Sequence, residues 1–371
     1  MKFTCDQQTL AKALNTVSKA VSARTTLPIL KGILIEAKSD GTLTLSASDL
    51  EISIQKKINA EVEEEGSAVV VSKLFSDIIR KLPNESILVE DIEESNILIK
   101  TNSSEFNVVS LSVEEFPKIG DREEIKDRLT FSCEVFKNMV RKTSFAASID
   151  ESKGVLVGIL TEINNDSISM AALDGFRLAL SKEKASNENE SRFIISAKIM
   201  NEISKIISDE NDIDDIEILL SDKKALFNVG NTEISLRLME GDFIKYRDII
   251  PSESNTKIII GRAILQESIE RASLLAKEGK NNLIKMTIKN NLLTITSRSE
   301  EGNVKEEIIM EKTGDDIEIG FNSKFVTDVL KAIDDEEITM NFITGTSPCV
   351  VRPVEGDEYE YLILPVRIPK M

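Results

Sequence analysis

The spacing of apolar residues along the chain predicts six short helices of two kinds, each kind occurring three times. Helices of the first kind are predicted over residues 6–22, 134–147 and 262–277. Helices of the second kind are predicted over residues 71–82, 196–207 and 322–333. Near the start of each second-kind helix lies a serine, which we expect to cap the first turn with its side-chain oxygen. These serines are Ser72, Ser196 and Ser323.

Between the helices, apolar and polar residues alternate with period two, which is typical of half-buried strands. Hairpins are predicted around short polar turns at residues 39–41, 164–166 and 290–291, and Leu156–Glu162 is one of the flanking strands. More strands follow each second-kind helix. Turns this short do not allow parallel crossovers, so we expect antiparallel sheets with helices on one face, an α+β fold.

The second-kind helices also share a pattern of charge. Each carries a lysine, an acid four residues later and a second base three residues after that. Lys73 and Lys198 are 125 residues apart, and Lys198 and Lys324 are 126 apart. The chain therefore divides into three copies, and we predict domains at residues 1–120, 128–250 and 256–371, each large enough for its own core.

On a helix, the repeated charges fall on one face, opposite the apolar stripe. A charged helix face usually indicates only exposure to solvent. Three copies in the same register favour a shared role for the lysines.

Composition limits the function further. The formal net charge is −18, so the molecule as a whole should repel nucleic acid and anionic membranes, and its basic helices can act only locally. No leader and no apolar run of 18 residues is found, which favours a soluble cytoplasmic protein. Cys5 and Cys133 occupy equivalent places in two copies, which indicates buried thiols and not a disulfide.

The sequence gives little support for catalysis. It has no histidine, so the commonest general base and metal ligand is missing, and no glycine-rich phosphate loop is found. We expect no catalytic residue, no metal and no cofactor. Two alternatives stay open: a metal-dependent hydrolase using Asp212 and Asp214, and an acidic three-repeat interaction scaffold that does not bind DNA.

Five motifs then occur in order along the chain. They are Met1-Lys2-Phe3, Thr26-Leu27-Pro28-Ile29-Leu30, Ser48-Asp49-Leu50-Glu51, Leu173-Asp174-Gly175-Phe176-Arg177-Leu178-Ala179 and Leu364-Pro365-Val366-Arg367. With the threefold repeat, they resemble the beta sliding clamps (beta subunits) of bacterial DNA polymerase III over essentially the whole chain. The resemblance implies a DNA clamp fold, in which two three-domain subunits join head to tail as a closed ring with helices lining the hole. It also implies a non-catalytic processivity subunit of the replicative polymerase.

The resemblance and the helix pattern together predict bases that face duplex DNA without reading its sequence. Arg24 and Lys73 match family residues that touch DNA, and Lys198 falls on a lining helix. Lys153 lies beside Gly154 and Val155, where relatives often carry aromatic residues. The predicted DNA-facing residues are Arg24, Lys73, Arg80, Lys81, Lys137, Arg141, Lys153, Lys198, Lys205, Lys324 and Lys331.

The resemblance further implies a cleft between the second and third domains that binds short linear peptides of the polymerase, the clamp loader and repair proteins. An apolar groove with few polar groups suits such a peptide. Ile244 stands where many relatives have proline. Residues 362–364 fit a packed core strand equally well. The predicted cleft residues are Leu156, Gly175, Phe176, Arg177, Leu178, Ile244, Ile249, Leu362, Ile363, Leu364, Pro365, Val366 and Arg367.

For the contact between subunits, the resemblance implies Phe106 and Val108 on an edge strand on one side. Leu274 and Leu275 on a helix match the other side, although apolar helix residues are as often ordinary core.

Overall fold

The computed structural model describes residues 1–22, 25–92, 95–119, 124–185, 190–210 and 213–368. Six α-helices lie in this part of the chain, each at a predicted place. They are α1 Gln7–Val17, α2 Ser72–Lys81, α3 Cys133–Thr143, α4 Ala197–Asp209, α5 Arg262–Ala276 and α6 Ser323–Ala332. Helix α1 stops short of the predicted end because Ser18–Ala20 continues as a 3-10 turn.

The strands are short, and every pairing between them in the described residues is antiparallel, as predicted. Their bounds are β1 Lys2–Asp6, β2 Gly32–Ala37, β3 Thr42–Ser48, β4 Ile52–Asn59, β5 Glu61–Glu64, β6 Gly66–Val71, β7 Ser86–Ile92, β8 Asn96–Lys100, β9 Glu105–Leu111, β10 Asp127–Ser132, β11 Gly158–Ile163, β12 Ser167–Leu173, β13 Arg177–Lys184, β14 Ser191–Ser196, β15 Asp215–Leu220, β16 Lys224–Val229, β17 Thr232–Arg237, β18 Thr256–Gly261, β19 Leu283–Lys289, β20 Leu292–Arg298, β21 Asn303–Ile309, β22 Glu311–Gly314, β23 Ile317–Asn322, β24 Glu337–Phe342, β25 Cys349–Pro353 and β26 Tyr359–Ile363.

The chain forms two compact units, one of residues 1–134 with 202–238 and one of residues 135–201 with 239–371. In the first unit, the described strands form one sheet in the order β10-β15-β16-β17-β4-β3-β2-β6-β9-β8-β7-β1-β5. In the second unit, the order is β14-β11-β12-β13-β26-β25-β24-β18-β22 in one sheet and β21-β20-β19-β23 in another.

In both units, strands of neighbouring repeats pair with each other. In the first unit, β17 of the second repeat lies against β4 of the first, with Ile234 opposite Ile54. In the second unit, β13 of the second repeat lies against β26 of the third, with Leu178 opposite Leu362. Within each unit, neighbouring repeats therefore share a sheet and its backbone hydrogen bonds.

The helices bury the apolar stripes that predicted them. Phe75 and Ile79 on α2 are buried, as are Val326 and Val329 on α6. Burying one such side chain stabilises the fold by about 1.5–3 kcal/mol. The charged residues of the same helices are left at the surface.

The predicted serine caps are wrong for α2 and α6. Ser72 and Ser323 are the first residues of these helices, so the capping position falls one residue earlier. At α2 this position is Val71, which has no side-chain oxygen, whereas at α6 Asn322 accepts a hydrogen bond from the Lys324 amide at 3.0 Å.

One predicted strand begins later than expected. Residues Glu151–Val157 form a 3-10 segment that bends at Gly154, where φ is 57°, so β11 begins at Gly158 and not at Leu156. A side chain at Gly158 would meet Ile194 at 2.5 Å, which explains the glycine at this close approach.

The cysteines agree with their predicted role. Cys5, Cys133 and Cys349 are all buried, and burial raises the pKa of the Cys5 thiol to about 11. No helix in the described ranges is long and apolar enough to cross a membrane.

Candidate functional site

The three repeat lysines are presented in the same way. Lys73, Lys198 and Lys324 each lie in the first turn of a helix, each is exposed, and none has an ion-pair partner within 4.0 Å among the described residues. Because the helix buries its apolar stripe, it directs these ammonium groups into solvent. Three unneutralised cations in equivalent positions can bind a polyanion.

The acid of the repeat pattern is used in two different ways. On α2, Asp77 accepts from Arg80 at 2.5 Å, and on α4, Glu202 accepts from Lys205 at 2.8 Å, so each acid pairs with the next base on its own helix. On α6 the acid Asp328 instead accepts from Arg177 on β13.

The other predicted DNA-facing residues differ in how available they are. Lys81 and Lys153 are exposed, and Lys137 is half-buried. Arg141 is already engaged within the protein, since its guanidinium donates to the Ala332 carbonyl and forms an ion pair with Asp334. Arg24 lies outside the described residues.

The third lysine helix also carries a base that is already paired. Lys331 lies 3.3 Å from Glu270 of α5, whose carboxyl has its pKa lowered by hydrogen bonds from Gln266 and Lys331. The pair is exposed, so it contributes little to stability and leaves the lysine accessible.

A tight turn shapes the predicted cleft. Asp174 accepts hydrogen bonds from the backbone amides of Phe176 and Arg177 at 2.9 and 3.0 Å. Gly175, between them, has a φ of 93°, which glycine adopts without steric cost. The turn leaves Phe176 60% exposed, an unusually large apolar surface to present to water.

Directly after the turn, Arg177 is buried at 8% exposure. Its Nε donates to Asp174 at 3.1 Å and its Nη1 donates to Asp328 at 2.6 Å. The guanidinium carbon lies 4.7 Å from the ring centre of Phe325 and 5.4 Å from that of Phe145. Buried charges of this kind are stable only when paired and hydrogen-bonded, as this one is.

Several of the other predicted cleft residues are apolar and partly exposed. Leu156 and Leu364 are half-buried and pack on the core around Leu178 and Leu362. Ile249 is 46% exposed at the end of a short 3-10 turn. Ile244 is also exposed.

A side-chain hydrogen bond anchors the 3-10 turn Tyr246–Ile249 to the protein core. The Tyr246 hydroxyl donates to Glu162 at 2.7 Å, and burial together with this carboxylate raises the pKa of the tyrosine. The ring is buried in the same core as Leu178, so Tyr246 fixes the position of neighbouring Ile249.

The C-terminal segment is partly core and partly surface. Leu362 and Ile363 are buried in β26, which lies inside its sheet between β13 and β25. Pro365 and Val366 are half-buried, and Arg367 is exposed. The Leu364 amide donates to the Phe176 carbonyl at 2.9 Å, which ties this segment to the turn.

The four predicted contact residues also differ in exposure. Phe106 is 40% exposed and Leu274 is 66% exposed, whereas Val108 is 8% exposed and Leu275 is half-buried. Strand β9 pairs with β8 from Glu105 to Val109 and with β6 only at Ser110 and Leu111, so its first part presents a free edge in the described residues.

The described residues give no support to the alternative of a metal-dependent hydrolase. Asp212 lies outside the described residues, and within them no three Asp, Glu or Cys side chains are grouped closely enough to hold a metal ion.

Family models for the DNA polymerase III beta subunit match the chain in three segments: the N-terminal domain at residues 1–120, the central domain at 130–245 and the C-terminal domain at 247–367. The chain belongs to the DNA polymerase III beta subunit family. The resemblance drawn from the five motifs is thereby confirmed, and so is the α+β clamp fold.

Members of the beta subunit family match along the full length. A beta sliding clamp from Staphylococcus epidermidis is 37% identical over 378 aligned residues, covering 99% of each chain. The structure of the DNA polymerase sliding clamp from Bacillus subtilis is 32% identical, with a TM-score of 0.94, and covers 100% of both chains. That of the beta subunit from Thermotoga maritima is 32% identical, with a TM-score of 0.92, covering 99% of this chain and 100% of its own.

The sequence analysis did not predict several residues that the structure places at the candidate sites. Phe145, Phe325 and Asp328 surround Arg177, although they are far from it in the chain. Asp328 had a signal, because it belongs to the repeat pattern, but the pattern indicated only a charged helix face exposed to solvent. Val109, at 67% exposure, and Ile309, at 85%, are more exposed than the predicted Val108. Strand alternation alone does not tell which of two neighbouring valines faces solvent.

Proposed function

We propose that two copies of this chain close head to tail into a ring around duplex DNA and act as the processivity clamp of the replicative polymerase. The single observation that carries this proposal is the presence of Lys73, Lys198 and Lys324 in the same register of three repeats, each exposed and without an ion-pair partner in the part of the chain that the structure describes. Membership of the beta subunit family supports it. Contacts to phosphate alone carry no sequence information, as sliding requires.

We also propose three domains, at residues 1–120, 128–250 and 256–371. In this arrangement the three lysines and their neighbours on α2, α4 and α6 line the hole. The remaining surface carries most of the net charge of −18 and discourages binding of DNA from outside.

For the contact between subunits, we propose that the free edge of β9 with Phe106 and Val108 meets the α5 surface with Leu274 and Leu275 of a second copy. Strand β21 supports this pairing, because it is an edge strand of its sheet in the described residues and carries exposed Ile309. An unpaired strand edge can pair with another chain, and a contiguous exposed apolar patch is typical of a contact surface. A contact between two different surfaces closes into a ring if its rotation permits.

The third element of the proposal is a peptide-binding cleft. Its walls are Phe176, Leu156, Ile249 and Leu364. Leu156 and Leu364 pack on the buried core around Leu178 and Leu362, whereas Phe176 and Ile249 expose apolar surface to solvent. Such a surface suits an extended peptide of the polymerase or the clamp loader, anchored by an apolar side chain.

Topological retention tests the ring. The protein is loaded by its clamp loader and ATP onto a nicked circular plasmid, the plasmid is cut once, and the bound protein is followed by gel filtration. We expect it to remain on the circle at moderate salt and to leave the linear DNA, because a closed ring can slide off only at an end. Equal retention on circular and linear DNA would contradict the ring.

The lysines are tested by salt dependence. Replacing Lys73, Lys198 and Lys324 with glutamine removes six cations from the proposed ring of two copies. This should lower the magnitude of the slope of log K against log salt for linear duplex DNA by about 5.4, since each lost phosphate contact removes about 0.9. Fluorescence anisotropy at several salt concentrations measures it. A control triple variant changes the exposed lysines of turns and loops, Lys38, Lys118 and Lys223, to glutamine. Equal slopes for both variants would show that the repeat lysines do not meet DNA.

A further inference from the structure

The threefold pattern of the molecule is broken at one ion pair. In α2 and α4 the repeat acid pairs with the base three residues later, at 2.5 Å for Asp77 and 2.8 Å for Glu202. In α6 the equivalent acid, Asp328, lies 2.6 Å from Arg177, and its own helix neighbour Lys331 pairs with Glu270 of α5 instead. In the third repeat the acid therefore pairs with an arginine of strand β13 and not with a base of its own helix.

The Asp328–Arg177 ion pair is more buried than the equivalent ion pairs within α2 and α4. The Arg177 side chain is 8% exposed and that of Asp328 is 26% exposed, whereas Arg80 and Lys205 are 70% and 62% exposed. An exposed pair contributes little to stability, but a buried arginine depends on its partners for both charge balance and orientation.

Helix α6 contacts Arg177 in two ways. Phe325, one turn before Asp328, lies under the guanidinium at 4.7 Å, and Asp328 receives the Nη1 hydrogen bond. Asp174 receives the Nε hydrogen bond from the other side. Two carboxylates and the ring together fix the plane of the guanidinium, because its donors point in fixed directions.

Phe325 also links Arg177 to Phe176, a residue of the proposed cleft wall. The ring of Phe176 stacks on that of Phe325, with ring centres 6.0 Å apart and planes inclined by 24°. Phe176 is mostly exposed, and its carbonyl holds Leu364 by the backbone hydrogen bond at 2.9 Å. If the Arg177 side chain moved, Phe325 would lose its contact with the guanidinium, and Phe176 would lose the fixed ring on which it stacks.

We propose that Asp328 is a positioning residue of the peptide cleft, which acts by holding Arg177 between its aromatic neighbours. The proposal rests on the peptide-binding function proposed above. In this role Asp328 touches no peptide atom itself. It pre-organises the surface, so the ordering cost is met before the peptide arrives.

The test measures the affinity of the full-length protein for a fluorescein-labelled peptide from the clamp-binding segment of the replicative polymerase of the same organism. Asp328→Asn keeps the shape of the side chain and removes its charge, and we expect Kd to rise about tenfold, the size of a modest coupling between neighbours. The matched variants Asp77→Asn and Glu202→Gln change the equivalent acids of α2 and α4 and should leave Kd within twofold of the wild type.

A double-mutant cycle separates positioning from a general effect on folding. If Asp328 acts through Arg177, then Asp328→Asn should weaken peptide binding no further in a protein that already carries Arg177→Met. Independent losses that multiply in the double variant would assign Asp328 a structural role and overturn the proposal. Unchanged affinity of Asp328→Asn alone would overturn it too. If the wild-type protein itself fails to bind the peptide, the cleft function falls, and this inference falls with it.

Discussion

Leu274→Asp should convert the proposed dimer into monomers. Leu274 is 66% exposed on α5, so the aspartate costs the isolated subunit little. In the proposed ring, each of the two contacts would lose the burial of a leucine, about 2 kcal/mol, and would bury a carboxylate at a further cost of about 2 kcal/mol or more. Over both contacts the loss sums to about 8 kcal/mol, so we expect dimer affinity to fall by about six orders of magnitude. Sedimentation velocity over a range of concentrations measures this change.

The matched control for this prediction lies on the same helix. Ile264 is 51% exposed near the start of α5, and Ile264→Asp makes the same chemical change away from the proposed contact. It should leave the protein dimeric. Dimers that persist in Leu274→Asp would place the contact between subunits elsewhere, and monomers in both variants would point to a general effect on α5.

Arg177→Met should destabilise the fold by about 3 kcal/mol, because it leaves two partly buried carboxylates without their cation and removes the contacts with two aromatic rings. Asp174 and Asp328, whose side chains are 15% and 26% exposed, are the groups left unpaired. Their partial hydration keeps the expected value at the lower end for a broken buried pair. Urea unfolding followed by circular dichroism gives the change.

Arg247→Met is the control for charge removal. Arg247 is 59% exposed and pairs with Glu162 at 3.1 Å, so we expect a loss below about 1 kcal/mol. Equal losses for the two arginines would show that the buried position of Arg177 confers no special stability.

The local structure of this protein could be predicted from its sequence with some accuracy. The apolar periodicity placed all six helices, and α6 differs from its predicted span by one residue at each end. The strands of the hairpins pair as predicted, for example Leu34 with Ser46. These features depend on neighbours in the chain, whose spacing the sequence states directly.

The candidate sites were less predictable. The exposed lysines were found because they repeat at equal spacing. The partners of Arg177 were not found, because Phe145 and Asp328 come from different repeats and meet only when β13 pairs with β26 and α6 folds beneath them. The serine caps failed for a smaller reason, since a shift of one residue at a helix start moves the capping position to another side chain.

The sequence by itself determined the threefold repeat, the approximate places of the helices and strands, the absence of histidine chemistry and the family of the protein. Only the tertiary structure decided which strands join neighbouring repeats, which of Val108 and Val109 faces solvent, and that the acid of the third repeat turns away from its own helix to hold Arg177. The physical reason is the range of the forces involved. Helix periodicity and turn chemistry act within a few residues, whereas sheet pairing and the burial of a charge depend on groups brought together from distant parts of the chain.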